Sequence, residues 1–154
     1  MSAAIREAKK ALQAGEVPVG AVVVHNGRII SRGHNRVESK QDASYHAEMV
    51  ALRRAARRLS AWRLEKCQLY VTLEPCAMCA GAAVWSRVEK IIFGVKDPKA
   101  GACGSVVTVA GNRKLNHRPV IVSGVMALEC GRLLRVFFQQ VRYRNKLRSI
   151  EVYN

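Results

Sequence analysis

The stretch Gln68-Leu69-Tyr70-Val71-Thr72-Leu73-Glu74-Pro75-Cys76-Ala77-Met78-Cys79 decides how this chain is read. Gln68–Leu73 has the length and the apolar, β-branched character of a buried strand. Glu74-Pro75 breaks it, and a short helix is predicted from there to about Ser86. Cysteines three apart at a helix start lie on one face, so both sulfurs reach one ion. Pro75 suits the first helical position, where its missing N–H costs nothing. The positive end of the helix dipole is expected to favour both thiolates.

Working outward, Val88–Val95 reads as a second buried strand and Val120–Ser123 as a third. Val125 to about Arg148 forms a long basic helix. Upstream, residues 46–59 set Val50, Ala51, Ala55 and Leu59 on one helical face, with Arg53, Arg54, Arg57 and Arg58 crowding the rest. Ala21–Val24 and Arg28–Arg32 flank His25-Asn26-Gly27, and Asn-Gly supplies the positive φ values of a tight hairpin. Residues 3–14 place Ile5, Ala8, Ala11 and Leu12 at helical spacing; Gly15 ends that helix and Pro18 keeps it from resuming. A polar loop through Asp42 precedes the second helix. Strands alternating with helices predict an α/β sandwich with a largely parallel portion and one antiparallel hairpin. Asp97–Arg118, with Gly101, Gly104 and Gly111, reads as a functional loop region.

The chain's 154 residues suit one domain spanning 1–154. Hydrophobic residues make up 49% of it, which excludes a disordered or collagen-like chain. No apolar run is long enough to span a bilayer. With no leader-like opening, a cytoplasmic location is expected. Against 11 Asp and Glu stand 26 Lys and Arg, a net charge of +15 that predicts an anionic partner, nucleic acid or an anionic membrane surface. Cys67, Cys76, Cys79, Cys103 and Cys130 are odd in number and scattered, unlike a secreted disulfide framework.

The chemistry concentrates at two helix starts, His46-Ala47-Glu48 and Pro75-Cys76-Ala77-Met78-Cys79. His46, Cys76 and Cys79 leave a tetrahedral Zn2+ one ligand short, the mark of a catalytic site that holds water. Glu48 is the candidate proton carrier. Residues two apart do not share a helix face, so the His46–Glu48 pair must sit at the very start of its helix, with Asp42-Ala43-Ser44 offering caps. A closed structural zinc that recruits Cys67, Cys103 or Cys130, or a redox-active cysteine pair, are the rival readings.

H-x-E followed by P-C-x-x-C resembles the zinc-dependent nucleoside deaminases. Glu16-Val17-Pro18-Val19-Gly20-Ala21, Thr72 to Ala82, Asp97-Pro98-Lys99 with Gly101 and Gly104-Ser105, and Asn116-His117-Arg118 occur in the order seen in bacterial tRNA-specific adenosine deaminases. This likeness runs from about Ile5 to Arg148. It implies a three-layer cytidine-deaminase-like fold, a five-stranded mixed sheet with helices on both faces, and a homodimer with one zinc per subunit. It also implies hydrolytic conversion of adenosine to inosine at the wobble position of a tRNA, usually an arginine tRNA. There, zinc-activated water attacks C6 and Glu48 shuttles the proton. Asn35 and Val17 match base-contacting positions, while Asp97, Lys99, Asn116 and His117 match RNA contacts. On the last helix, Phe138 and Arg142 are the candidates for base stacking and phosphate binding, whereas Phe137 fits a core stripe with Leu133, Leu134 and Val141. Two features depart from the pattern. Tyr45 replaces a small residue and is expected to narrow the pocket or meet the base, and Val106–Ala110 lacks a leucine-rich helical pattern. The alternatives are a deaminase of free guanine, cytosine or a nucleoside, and a non-catalytic zinc-containing RNA-binding subunit.

Overall fold

The computed structural model describes residues 1–151. Helix α1 (Ser2–Gln13) leads into the hairpin β1 (Gly20–His25) and β2 (Arg28–His34). Asn26 and Gly27 take φ values of 49° and 71°, the left-handed pair that the Asn-Gly dipeptide predicts. A short helix α2 (Val37–Lys40) follows where the sequence suggested only a polar loop; at four residues it is below the length at which periodicity carries a signal. Then come α3 (Ala47–Leu59), β3 (Cys67–Leu73), α4 (Ala77–Trp85), β4 (Lys90–Val95), β5 (Val120–Val122) and α5 (Ala127–Glu151).

The strands form one five-stranded sheet in the order β2-β1-β3-β4-β5. β1 pairs antiparallel with both β2 and β3, while β3, β4 and β5 run parallel. Helices cover both faces: α3 packs on β1, β2 and α4, and α1 packs on β1 with α5 beside it. Along β1, Ala21 and Val23 enter the large core with Ala51, Ala80 and Phe93, whereas Val22 joins Ala3 and Ala4 of α1. That alternation is what a two-sided sheet demands of its strands.

The region 97–118 is held by isolated bridges, Cys76 to Gly101 and Cys103 to Thr108, and carries no helix among the described residues. The C-terminal ends of β3 and β4 lie at the same end of the sheet as the loop after β2, and this end carries the candidate chemistry. No helix of the described residues is long and apolar enough to cross a membrane.

Candidate active site

His46 and Cys76 each occupy the N-cap position of a helix, in extended backbone conformation, so α3 and α4 both begin with a side chain aimed at one point. His46 Nδ1 lies 3.6 Å from Cys76 Sγ and 3.5 Å from Cys79 Sγ. All three ligand atoms fall within 4.8 Å of one another, and no fourth His, Cys or carboxylate atom joins them among the described residues. A tetrahedral zinc with ordinary Zn–N and Zn–S lengths has N···S edges of about 3.6 Å. The three side chains therefore fit such an ion, with one position left to a small ligand. Cys67 and Cys130 are buried in apolar surroundings and Cys103 packs against the main core, so none of them closes the set.

Three local expectations change. The helix begins at Ala77, so Pro75 lies just outside it, and its carbonyl accepts a hydrogen bond from Ala102 N. Asp42 does not cap α3; its carboxylate accepts Ser44 N at 2.8 Å and shapes the loop. Among the protein groups alone only one thiol ionises readily. The Cys79 thiol and then His46 hold Cys76 down to about 3, while the Cys76 thiolate and burial push Cys79 up. A cation between them is what would draw both into the thiolate form.

Glu48, in the first turn of α3, is 3% exposed, and burial raises its carboxyl above the ordinary value. It shares a cavity of about 280 Å³ with His46, Cys76, Val17, Asn35, Val37, Leu73 and Asp97. Val17, Leu73 and Asp97 also line an adjoining groove of about 510 Å³ with Lys96, Lys99, Arg135, Phe138 and Arg142. The His46–Cys76–Cys79 cluster and the basic helix thus open onto each other. Phe137 is buried, and Phe138 meets it edge-on at 5.3 Å while remaining 44% exposed.

Asp97 plays a local part as well: its carboxylate accepts Lys99 N and Ala100 N, an Asx-type turn that presents Lys99 to the groove. Tyr45 does not line the cavity. Its ring lies under the Arg53 guanidinium, 4.9 Å from the centroid, because that guanidinium is anchored on the Ser44 carbonyl. Asn116 and His117 sit at the opposite end of the sheet. His117 Nε2 is 2.7 Å from the Val88 carbonyl, just before β4, and the Asn116 carbonyl accepts Arg87 Nη1. One protomer therefore does not bring these two residues to the cavity.

Two buried carboxylates, neither marked as a site residue by motif or spacing, hold the loops beside the cavity. Glu74 accepts Asp97 N, Cys103 N, Ser105 N and the Ser105 hydroxyl. Burial raises its pKa, but the Ser105 hydroxyl and the three amides outweigh this and hold it below the ordinary value. Glu16, 1% exposed, accepts Asn35 Nδ2, Glu38 N and Ser39 N. The available signal was a Glu beside Pro inside an apolar block, in Glu16-Val17-Pro18 and Leu73-Glu74-Pro75.

Comparison with known proteins agrees with this architecture. The MafB19-like deaminase family matches residues 1–142. A protein of Bacillus subtilis (strain 168) named tRNA-specific adenosine deaminase is 51% identical over 95% of this chain and 91% of its own. One of the same name from Aquifex aeolicus (strain VF5) is 49% identical over 92% and 93%. A solved structure from work on A-to-I editing by tRNA:A34 deaminases at the wobble position of transfer RNA is 40% identical. It superposes with a TM-score of 0.84 over 87% of this chain and 97% of that one. The five-stranded mixed sheet is thus the cytidine-deaminase-like fold, and the chain belongs to the MafB19-like deaminases, in the company of the tRNA-specific adenosine deaminases.

Proposed function

We propose that this chain, as a single deaminase domain, hydrolyses adenosine to inosine at the wobble position of a tRNA anticodon and releases ammonia. The observation that carries this reading is the continuity of the Glu48–His46–Cys76–Cys79 cavity with the groove of Lys99, Arg135, Phe138 and Arg142. A free base would need only the cavity. Cations around an exposed ring suit the phosphates and neighbouring bases of an unpaired strand. The names of the relatives at 51% and 49% identity support the same substrate.

Zn2+ suits two thiolates and an imidazole with an open fourth position, and when bound it supplies a water acidified enough to attack C6 of adenine. His46, Cys76 and Cys79 would hold it. Glu48, buried in the cavity, takes one proton of the attacking water and gives it to the ring nitrogen N1; it then passes the remaining hydroxyl proton to the amino group, so that the C6–N bond breaks as C6=O forms and ammonia leaves. Burial raises the affinity of Glu48 for a proton, which suits a group that takes and returns one. Val17 packs on the base and Asn35 hydrogen-bonds to it. Asp97 and Lys99 set the loop against the neighbouring nucleotides, Phe138 stacks, and Arg142 binds phosphate. Because Asn116 and His117 lie at the far end of the sheet, they contact a different part of the RNA or the site of a second copy. A homodimer is supported by the outer face of α4, where Met78 and Trp85 stand 38% and 72% exposed. An arginine tRNA, from the family resemblance, and a cytoplasmic location, consistent with a tRNA-modifying enzyme, complete the proposal.

The decisive experiment incubates the protein with an anticodon stem-loop bearing a wobble adenosine, and separately with free guanine, cytosine and cytidine. Inosine in the stem-loop is expected, and Glu48→Ala should reduce its formation at least about 100-fold with the metal retained. Turnover of free bases alone rejects the tRNA reading. Tight RNA binding without turnover favours a non-catalytic subunit.

A further inference from the structure

The substrate-facing Asn35 does not stand alone. Its Nδ2 donates to Glu16 Oε2 at 3.2 Å, and Asn35 is itself only 7% exposed. The same carboxylate accepts Glu38 N at 3.2 Å and Ser39 N at 2.7 Å, the free amides at the start of α2. Ionised, Glu16 has acceptors and no donor, so only the NH2 end of the Asn35 carboxamide can face it. Burial raises the Glu16 pKa, but the Ser39 and Glu38 hydrogen bonds outweigh that and keep it charged.

The other end of the amide follows. Asn35 Oδ1 accepts no hydrogen bond from the described residues, yet no buried side-chain oxygen or nitrogen among them lacks a partner. Oδ1 is therefore open, and the cavity is what Asn35 lines. Val37 of α2 lines the same cavity, so the carboxylate that orients the amide also anchors that wall.

We infer that Glu16 is a positioning residue for substrate recognition: it locks the Asn35 carboxamide with its oxygen toward the cavity, as an acceptor for a donor group on the bound nucleoside. The inference rests on the deaminase reading of the cavity only for its kinetic test. Glu16 touches no reacting atom and acts through Asn35 and α2. Glu16→Gln keeps the size but offers an NH2 group to a site built from donors, which leaves one of them unpaired and frees the amide to rotate.

The test has two arms. In the wild-type protein the Asn35 side-chain NH2 protons, followed by NMR, should exchange with solvent at least about tenfold more slowly than a free carboxamide. Exchange at the free rate overturns the lock, whatever the enzyme does to RNA. In the kinetic arm, Glu16→Gln should raise KM for the wobble-adenosine stem-loop about tenfold with a smaller change in kcat, the fold-change expected for one lost charged hydrogen bond. Adding it to Asn35→Ala should raise KM no further, and Glu16→Asp should restore part of the loss. Multiplying effects in the double variant, or a kcat loss at unchanged KM, overturn the proposal. Absence of inosine with the wild-type protein would instead reject the deaminase reading and leave the NMR arm to decide the role of Glu16.

Discussion

His46 and Glu48 are two positions apart, about 200° around a regular helix, yet both reach one cavity. The conflict is resolved by a single residue's backbone: His46 sits at φ −65° and ψ 153°, outside the helix that Glu48 has already entered. Cys76 repeats the device at the start of α4, with Cys79 one turn on. Because the three ligand atoms come from two helices, no pair of them should suffice. His46→Ala and Cys79→Ala are each expected to lose bound zinc by elemental analysis after dialysis, while Cys67→Ala keeps one equivalent. Retention of a full equivalent by Cys79→Ala would move the site elsewhere. The identities of these residues were legible in their spacing. Their shared protonation was not, since it depends on the proximity of Cys76 and Cys79 to each other and to His46.

At the scale of elements, α5 divides its residues by face. Phe137 goes into the core, while Arg135, Phe138 and Arg142, at spacings of three and four, form the groove wall. Arg142→Ala should weaken binding of the anticodon stem-loop and reduce the slope of log K against log salt by about one. An unchanged slope removes Arg142 from the phosphate contacts. The loop after β4 depends on a different logic, because Glu74 gathers its amides into one buried carboxylate and Gly101 lets them approach. A Cβ at Gly101 would lie 2.5 Å from the Glu74 carboxyl carbon and 2.6 Å from the Asp97 carbonyl oxygen. Gly101→Ala is expected to cost about 1–3 kcal/mol in urea unfolding, because neither neighbour can withdraw without breaking this network. A shift below about 0.5 kcal/mol would show that the loop adapts. The sequence marked this segment as a functional loop but not what holds it, since the holding group lies 23 residues or more away.

Over the whole molecule, Glu7, Glu16 and Glu74 are buried carboxylates whose native pKa values are held below the ordinary glutamate value. At Glu7 burial raises the value, and Lys10 and His34 overcome it. Each binds a proton less readily folded than unfolded, so the stability they provide is complete above the ordinary carboxylate range and is lost as pH falls through the depressed native values. Melting temperature should therefore drop as pH falls below the ordinary carboxylate range, and Glu74→Gln should flatten that drop; parallel curves for the two proteins would exclude Glu74 as a contributor. By itself the sequence determined the five strands, every helix but the four-residue α2, the candidate metal-binding trio and the excess of positive charge, because periodicity, turn residues and close ligand spacing are local. Only the tertiary structure decided that β1 also pairs antiparallel with β3, that Tyr45 turns away under Arg53, and that Asn116 and His117 lie far from the cavity. It also brought Glu16 to Asn35 across 19 residues and the basic face of α5 to the mouth of the metal cavity. Those outcomes depend on which strand edges pair and which helix faces the sheet buries, and burial is a property of the assembled chain.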